Sequence, residues 1–219
     1  MFELCASILA ADFANLERDM RAANAAGVDA FHIDVMDGHF VPAISFGTGM
    51  VRTMERLTTK PLDVHLMVEK PLDFLPELEE LGVKRVSVHY EIPGGPEAAL
   101  RAICAAGMQA GLVLNPETPV ESALPYLAQI SQLLLMTVYP GRRSICPAAT
   151  RRSLLPKVCC KGRGAIPSSR WMAASPPVPC PAPMRPGHGA LWRVVRFSME
   201  TYIKMCVHCV RKRQNRRCL

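Results

Sequence analysis

The stretch Phe31-His-Ile-Asp-Val-Met-Asp-Gly-His-Phe-Val-Pro42 decides the fold expected for this chain. Apolar and polar residues alternate along its first half, which is the period of a β-strand with two different faces. One face carries the apolar side chains, and the other carries His32, Asp34 and Met36. The following Asp-Gly pair is typical of a turn and ends the strand. An imidazole and a carboxylate near a strand end suit a metal site or a proton-transfer site, although a buried His–Asp hydrogen bond without chemistry gives the same pattern.

The same pattern recurs about thirty residues later, in Leu62-Asp-Val-His-Leu-Met67. An acid, a histidine and a methionine again occupy alternate positions of a short apolar strand. Two such strands suggest one site that is built from several strand ends. His32, Asp34 and His65 would supply nitrogen and oxygen ligands together. Such a set suits catalytic zinc, iron, manganese or cobalt better than a structural cysteine site does.

Strands and helices alternate through the first two thirds of the chain, with a repeat of about 25 residues. The predicted strands are 4–9, 31–36, 62–67, 85–90, 109–114 and 133–138, and the predicted helices are 12–26, 50–57, 71–81, 96–106 and 119–127. Buried strands that alternate with helices indicate a parallel sheet with right-handed crossovers. The sheet is either open and doubly wound or closed as a (β/α)8 barrel.

The barrel is favoured over the open sheet for two reasons. No GxGxxG motif follows the first strand, so nothing indicates a dinucleotide-binding fold. The chemically active residues lie at the carboxyl ends of the strands, where barrels carry their sites. The chain is therefore predicted to be an α/β protein with a TIM barrel, of which about six βα units are present.

Charge divides the chain into two unlike pieces at Gly141. Residues 1–141 carry 9 Lys and Arg and 18 Asp and Glu. Residues 142–219 carry 17 Lys and Arg and a single acidic residue. Seven of the nine cysteines also lie in the second piece. We therefore predict a barrel region at 1–141 and a basic, irregular tail at 142–219. No run of eighteen apolar residues predicts a membrane span, and no signal peptide is evident, so the default expectation is a cytoplasmic location.

Five runs of residues 1–141 closely resemble the ribulose-phosphate 3-epimerase family of the pentose phosphate pathway. The matching runs, in order and at the family's spacing, are Ala6-Ser-Ile-Leu-Ala-Ala-Asp-Phe13, His32 to Pro42, Leu62 to Met67, Leu114-Asn-Pro116 and Leu135-Met-Thr-Val-Tyr-Pro-Gly141. The resemblance implies a ribulose-phosphate-binding TIM barrel that holds one divalent metal ion and a small sugar phosphate. It implies no specific nucleic-acid partner and no membrane partner, and it leaves a homo-oligomer open.

The resemblance also implies roles for individual residues. The family's metal ligands fall on His32, Asp34 and His65, and Asp34 matches the base that removes the proton at C3. The positions that match substrate-contacting residues are Ser7, Met36, His65, Met67, Met136 and Gly141. The implied reaction is the interconversion of D-ribulose 5-phosphate and D-xylulose 5-phosphate by proton transfer at C3.

The second acid of that reaction is missing from this chain. In the family it comes from an Asp-Gly-Gly-Ile motif on the seventh strand, where it is also the fourth metal ligand. Here no aspartate follows Asp73. In the family the substrate phosphate is held by two loops, Gly-Phe-Gly-Gly after strand six and Gly-Ser after strand eight, and this chain has Gly141-Arg-Arg-Ser144 at the first of these places. Inversion needs acid–base groups on both faces of the enediolate. The chain as printed is therefore predicted to be inactive or nearly so.

A shifted reading frame would explain the tail. Trp171-Met-Ala173 must be encoded TGG-ATG-GCN, and the frame that begins at the third base of each codon then forces Asp-Gly. The following codons permit Gly-Ile-Thr, and Trp192 to Ser198 permit Ala-Gly-Ser-Ala-Val-Phe at the family's spacing. A sequencing error, a pseudogene and a spliced variant would all produce this pattern.

Two other hypotheses stay open at this point. The chain could be a non-enzymatic barrel remnant that still binds metal, or a binding protein whose basic tail meets acidic partners. The tail holds Cys206-Val-His-Cys209 without a second pair at finger spacing, which argues against a zinc module. Its run Arg211 to Arg217 suits only non-specific contact with acidic surfaces.

Overall fold

The strands of the chain form a closed barrel in the order β1 to β8. The computed structural model describes residues 3–136, 139–141, 170–174 and 193–198, the last two segments as backbone strands. The strands are β1 Glu3–Ser7, β2 Ala30–Met36, β3 Leu62–Met67, β4 Arg85–His89, β5 Gln109–Leu114, β6 Gln132–Leu135, β7 Arg170–Ala174 and β8 Arg193–Ser198. Strands β1 to β6 are parallel neighbours in sequence order, which confirms the predicted six βα units.

In the part of the chain that the structure describes, four α-helices cover the outside of these strands. They are α1 Leu16–Ala25, α2 Thr48–Leu57, α3 Leu75–Glu80 and α4 Glu97–Ala105. The fifth predicted helix is instead a 3-10 helix, Val120–Tyr126. Pro125 lies within it and lacks the N–H that an α-helical hydrogen bond would need. Among the described residues, no helix is long and apolar enough to span a membrane.

The tail contributes the two strands that close the barrel. Strand β7 pairs parallel with β6, and β8 pairs antiparallel with both β7 and β1. Strands β1 and β6, which would be the two edges of a six-stranded sheet, both have hydrogen-bond partners. An edge strand exposes unpaired backbone N–H and C=O groups, and another extended segment can satisfy them by pairing with it. The tail was expected to be irregular, and the rest of it, with its Cys206-Val-His-Cys209 and Arg211 to Arg217 segments, lies outside the described residues.

The main hydrophobic core lies between the strands and the helices. Phe31, Ile33 and Val35 of β2 point outward into it, where they join Met20 of α1 and Met54 of α2. All five side chains are buried. The alternation seen in the sequence thus leaves the other face of β2, with His32 and Asp34, inside the barrel.

A polar layer fills the barrel below the strand ends. The side-chain amide of Gln132 donates to the carboxylate of Asp63 at 3.2 Å and to the hydroxyl of Ser87. All three side chains are fully or almost fully buried. Gly111 of β5 leaves room for them, since an added Cβ would lie 2.7 Å from Nε2 of Gln132 and even closer to Ser87.

Gly111→Ala is therefore expected to destabilise the protein by about 1–3 kcal/mol, the usual cost of overpacking an interior. The measurement is urea unfolding followed by circular dichroism. Gly49→Ala is the matched control, because Gly49 lies in α2 with nothing within 4 Å of an added Cβ. In a helix that substitution should be neutral or stabilise by up to about 1 kcal/mol. Equal changes in the free energy of unfolding for both variants would show that the side chains of the polar layer make room for the added methyl group without cost.

Candidate active site

Asp34 lies at the centre of a cluster near the carboxyl ends of β1, β2 and β3. Its Oδ1 is 3.2 Å from Nε2 of His32 and 3.0 Å from Nδ1 of His65. The hydroxyl of Ser7 donates a hydrogen bond of 3.1 Å to its Oδ2. The three residues predicted as metal ligands and the predicted substrate-contacting serine thus meet at one carboxylate.

The parallel register of the strands brings these residues together. Ser7 is level with His32 in the β1–β2 pair, and Asp34 is level with His65 in the β2–β3 pair. Level residues on neighbouring strands point to the same side of the sheet. Residues two apart on one strand also share a side, so His32 and Asp34 complete the cluster.

The cluster is mostly buried, and its charges determine its protonation. Burial alone would lower the pKa of His32, but attraction to Asp34 and hydrogen bonds to Asp34 and Asp63 outweigh it and raise that pKa to about 10. Burial alone would raise the pKa of Asp34, yet the charge of His32 and hydrogen bonds from both histidines hold it well below the usual range. Asp34 is therefore ionised throughout the physiological range.

A metal ion could be held by these same three side chains. One ligand atom from each of His32, Asp34 and His65 lies within 4.8 Å of the others, so the predicted convergence is confirmed. In the ranges that the structure describes, this is the one such group of His, Cys, Asp and Glu side chains. Two imidazole nitrogens and one carboxylate form a donor set that fits zinc, iron, manganese or cobalt.

The predicted substrate-contacting methionines divide into two clusters. Met36 and Met67 are buried together with Val41, beside Leu9 and Phe40. Met136 is buried in a different cluster, with Cys5, Ala30, Val113 and Leu134. The first two therefore lie next to each other at the ends of β2 and β3, whereas Met136, after β6, packs in the other cluster.

Gly141 follows β6 and approaches the loop after β2. Its φ is +72°, in the left-handed region that favours glycine. An added Cβ would lie 3.2 Å from Cβ of Val41, so the two loops are in close contact. Gly141 therefore lies beside the cluster of Met36, Met67 and Val41.

Several polar residues around the site were not recognised from the sequence. Asp63 accepts a 2.8 Å hydrogen bond from Nδ1 of His32, and His89 places its Nε2 at 2.9 Å from Nε2 of His65. Glu91 lies 3.2 Å from the other nitrogen of His89. The signal for His89 was available, because residues 85–90 repeat the alternation of the two histidine-bearing strands and place Ser87 and His89 on one face.

His89 and Glu91 also have shifted protonation. Burial and the nearby charge of His65 lower the pKa of His89 to about 4, against the opposing effect of Glu91. Burial would raise the pKa of Glu91, but hydrogen bonds with His89, Thr118 and the backbone of Asn115 lower it. Both groups thus keep their ordinary charge states at neutral pH, with His89 neutral and Glu91 ionised.

Comparison with known proteins shows that the chain is similar in sequence to ribulose-phosphate 3-epimerases. The profile of the family described as Ribulose-phosphate 3 epimerase matches residues 3–147. Ribulose-phosphate 3-epimerase of Bacillus subtilis is 42% identical over 141 residues, which cover 64% of this chain and 65% of that protein. The protein of the same name from Methanocaldococcus jannaschii is 41% identical over 141 residues, covering 64% and 59%. That of Mycobacterium tuberculosis is 43% identical over 135 residues, covering 62% and 58%. The chain thus matches somewhat less than two thirds of the length of these relatives.

Proposed function

This chain belongs to the ribulose-phosphate 3-epimerase family, and we propose that it transfers a proton at C3 of D-ribulose 5-phosphate. In the full reaction this step leads to D-xylulose 5-phosphate. The observation that carries the proposal is the mostly buried, ionised carboxylate of Asp34 between two histidines and a serine. A small sugar phosphate is accordingly the proposed substrate class.

Asp34 is the proposed base. The C3 proton lies next to the C2 ketone, so its removal leaves an enediolate over which the electron pair is spread. A carboxylate that is ionised at neutral pH can accept this proton, and return it to the same face of the sugar. Its position is fixed on one side by the hydroxyl of Ser7 and on the other by Nδ1 of His65.

His32, Asp34 and His65 are the proposed ligands of one divalent cation. When bound there, such an ion supplies Lewis-acid polarisation of the substrate's oxygens, which makes the C3 proton more acidic. The family's fourth ligand has no counterpart in the sequence of β7, which is Arg170-Trp-Met-Ala-Ala174. We therefore expect the cation to bind more weakly here than in a four-ligand site.

The remaining predicted site residues are proposed to line the sugar. Ser7, Met36 and Met67 stand at the ends of the first three strands, with Met36 and Met67 packed together. Their apolar surface would exclude water from the reacting carbons. Met136 and Gly141 are proposed to contact the substrate from the β6 side.

The test separates proton removal from inversion. The full chain with added Zn²⁺ is incubated in D2O with D-ribulose 5-phosphate, and proton NMR follows both the C3 hydrogen and any D-xylulose 5-phosphate. Deuterium should enter C3 faster than with Zn²⁺ alone, while little xylulose 5-phosphate should form, because a single base serves one face. No exchange above the Zn²⁺ background in a folded, Zn²⁺-bound protein would contradict the proposal.

A further inference from the structure

His65 is the one proposed ligand whose outer nitrogen meets another histidine. Its Nδ1 faces Asp34 at 3.0 Å, and its Nε2 faces Nε2 of His89 at 2.9 Å. Two nitrogens at that distance share one proton, so one of them donates and the other accepts. The tautomers of the two rings are therefore coupled.

Glu91 decides which way the shared proton lies. Its Oε2 is 3.2 Å from Nδ1 of His89, and an ionised carboxylate can only accept. His89 then carries its proton on Nδ1 and presents a lone pair at Nε2. His65 then donates from its Nε2. In this structure its Nδ1 also donates to Oδ1 of Asp34, and a cation that displaces that Nδ1 proton would meet the lone pair of Nδ1.

Glu91 is itself held in one orientation. Its Oε1 accepts a 2.8 Å hydrogen bond from the backbone N–H of Asn115 and another from the hydroxyl of Thr118. These donors come from the segment after β5, so the carboxylate is clamped between two strand ends. The same donors fix which of its two oxygens faces His89.

A carboxylate also fixes the second ring nitrogen of His32, but without a histidine in between. Nδ1 of His32 donates directly to Asp63 at 2.8 Å, so Nε2, which faces Asp34 here, is the nitrogen that a cation would take. Ligand histidines generally hold their second nitrogen in this way, and the outer partner sets which nitrogen binds. The two histidines thus use opposite ring nitrogens, one set by Asp63 and the other through His89.

We propose that His89 and Glu91 are positioning residues that fix His65 in the tautomer whose Nδ1 binds a divalent cation. This inference rests on the proposed ligand set of His32, Asp34 and His65 and adds two residues that touch neither the cation nor the sugar. We call the hydrogen-bonded series Glu91, His89 and His65 the relay. Without it, the proton of His65 would move to Nδ1 and occupy the position of the bond to the cation.

Glu91→Gln reverses the relay without changing its shape. The donors from Asn115 and Thr118 select the amide oxygen of the new side chain, which turns its NH2 group toward Nδ1 of His89. His89 then carries its proton on Nε2 and donates to His65. Zn²⁺ affinity, measured by competition with a chelating dye, should fall by about 10–100-fold. Glu55→Gln, which makes the same chemical change on the exposed side of α2, should leave it unchanged.

A second readout follows the tautomer itself. Long-range proton–nitrogen NMR of the Zn²⁺-loaded full chain should show His65 protonated at Nε2, with that signal lost or moved in Glu91→Gln. His89→Phe removes the acceptor while keeping a ring beside Phe40, whose centroid is 4.8 Å away. In that background Glu91→Gln should cause no further loss of Zn²⁺ affinity, because both changes act through one path.

The outcomes are distinguishable. A Glu91→Gln protein that melts like the parent and binds Zn²⁺ within twofold of it would overturn the relay while leaving the ligand assignment intact. Equal losses from Glu91→Gln with and without His89 would also overturn it. If Glu91→Gln fails to fold, His89→Phe alone must reproduce the 10–100-fold loss. Failure of the parent chain to bind Zn²⁺ at all would remove the ligand assignment together with the relay.

Discussion

Asp34→Asn is expected to lower the rate of deuterium entry at C3 of D-ribulose 5-phosphate by about 10²–10⁴-fold. An amide cannot accept the proton at neutral pH, and the group of His32, Asp34 and His65 contains no other carboxylate. Nearly the same shape is kept, and the hydroxyl of Ser7 can still donate to the amide oxygen. The rate is measured by proton NMR in D2O, at a Zn²⁺ concentration that saturates each protein.

Saturation with Zn²⁺ matters because Asp34 is both the proposed base and a proposed ligand. The asparagine variant should bind Zn²⁺ more weakly, so a rate at fixed Zn²⁺ would mix the two effects. Asp73→Asn makes the same chemical change at an exposed position of a 3-10 turn and should leave both rate and affinity unchanged. Exchange within threefold of the parent in a saturated Asp34→Asn protein would show that another group removes the proton.

Reading the chain after Gly141 in the shifted frame should restore inversion. The re-encoded protein would carry Asp-Gly-Gly-Ile across the codons of Trp171-Met-Ala-Ala-Ser175, and Gly-Ser across those of Arg193-Val-Val195. The aspartate would supply an acid on the opposite face, worth about 10²–10⁴-fold in rate. The regained phosphate contacts would add binding energy that orients the sugar. We expect efficient formation of xylulose 5-phosphate from the re-encoded protein and little or none from the chain as printed.

The assay couples the product to an enzyme that consumes xylulose 5-phosphate. Asp34→Asn within the re-encoded protein is the control, and it should abolish turnover while the melting temperature changes little. Turnover by the printed chain at a comparable rate would show that the second acid and the phosphate loops are dispensable. The nucleotide sequence around codon 141 decides separately whether the shifted frame is the natural one.

Much of the site is determined by the sequence alone. Alternation along β2 and β3 is enough to place His32, Asp34 and His65 on one face, because the strand period of two is a local property of the backbone. The alternation of strands and helices then predicts parallel neighbours, and parallel strands bring their carboxyl ends to one edge. The structure confirms that these three side chains converge.

The partners of those side chains were decided only by the tertiary structure. Asp63 and His65 lie on the same strand, yet Asp63 bonds His32 of the neighbouring strand, and His65 turns its second nitrogen to His89. Glu91 is held beside His89 by the backbone N–H of Asn115, which follows β5. Such contacts depend on barrel curvature and register between strands, which no periodicity within one strand encodes.

Closure of the barrel is the other feature that the sequence did not reveal. Composition and charge predicted an irregular tail after Gly141, but two short segments extend and pair with β6 and β1. Strand β8 does so antiparallel to both neighbours, unlike the parallel strands before it. Local propensity describes what a segment favours in isolation, whereas an unpaired sheet edge stabilises any segment that can satisfy its backbone hydrogen bonds.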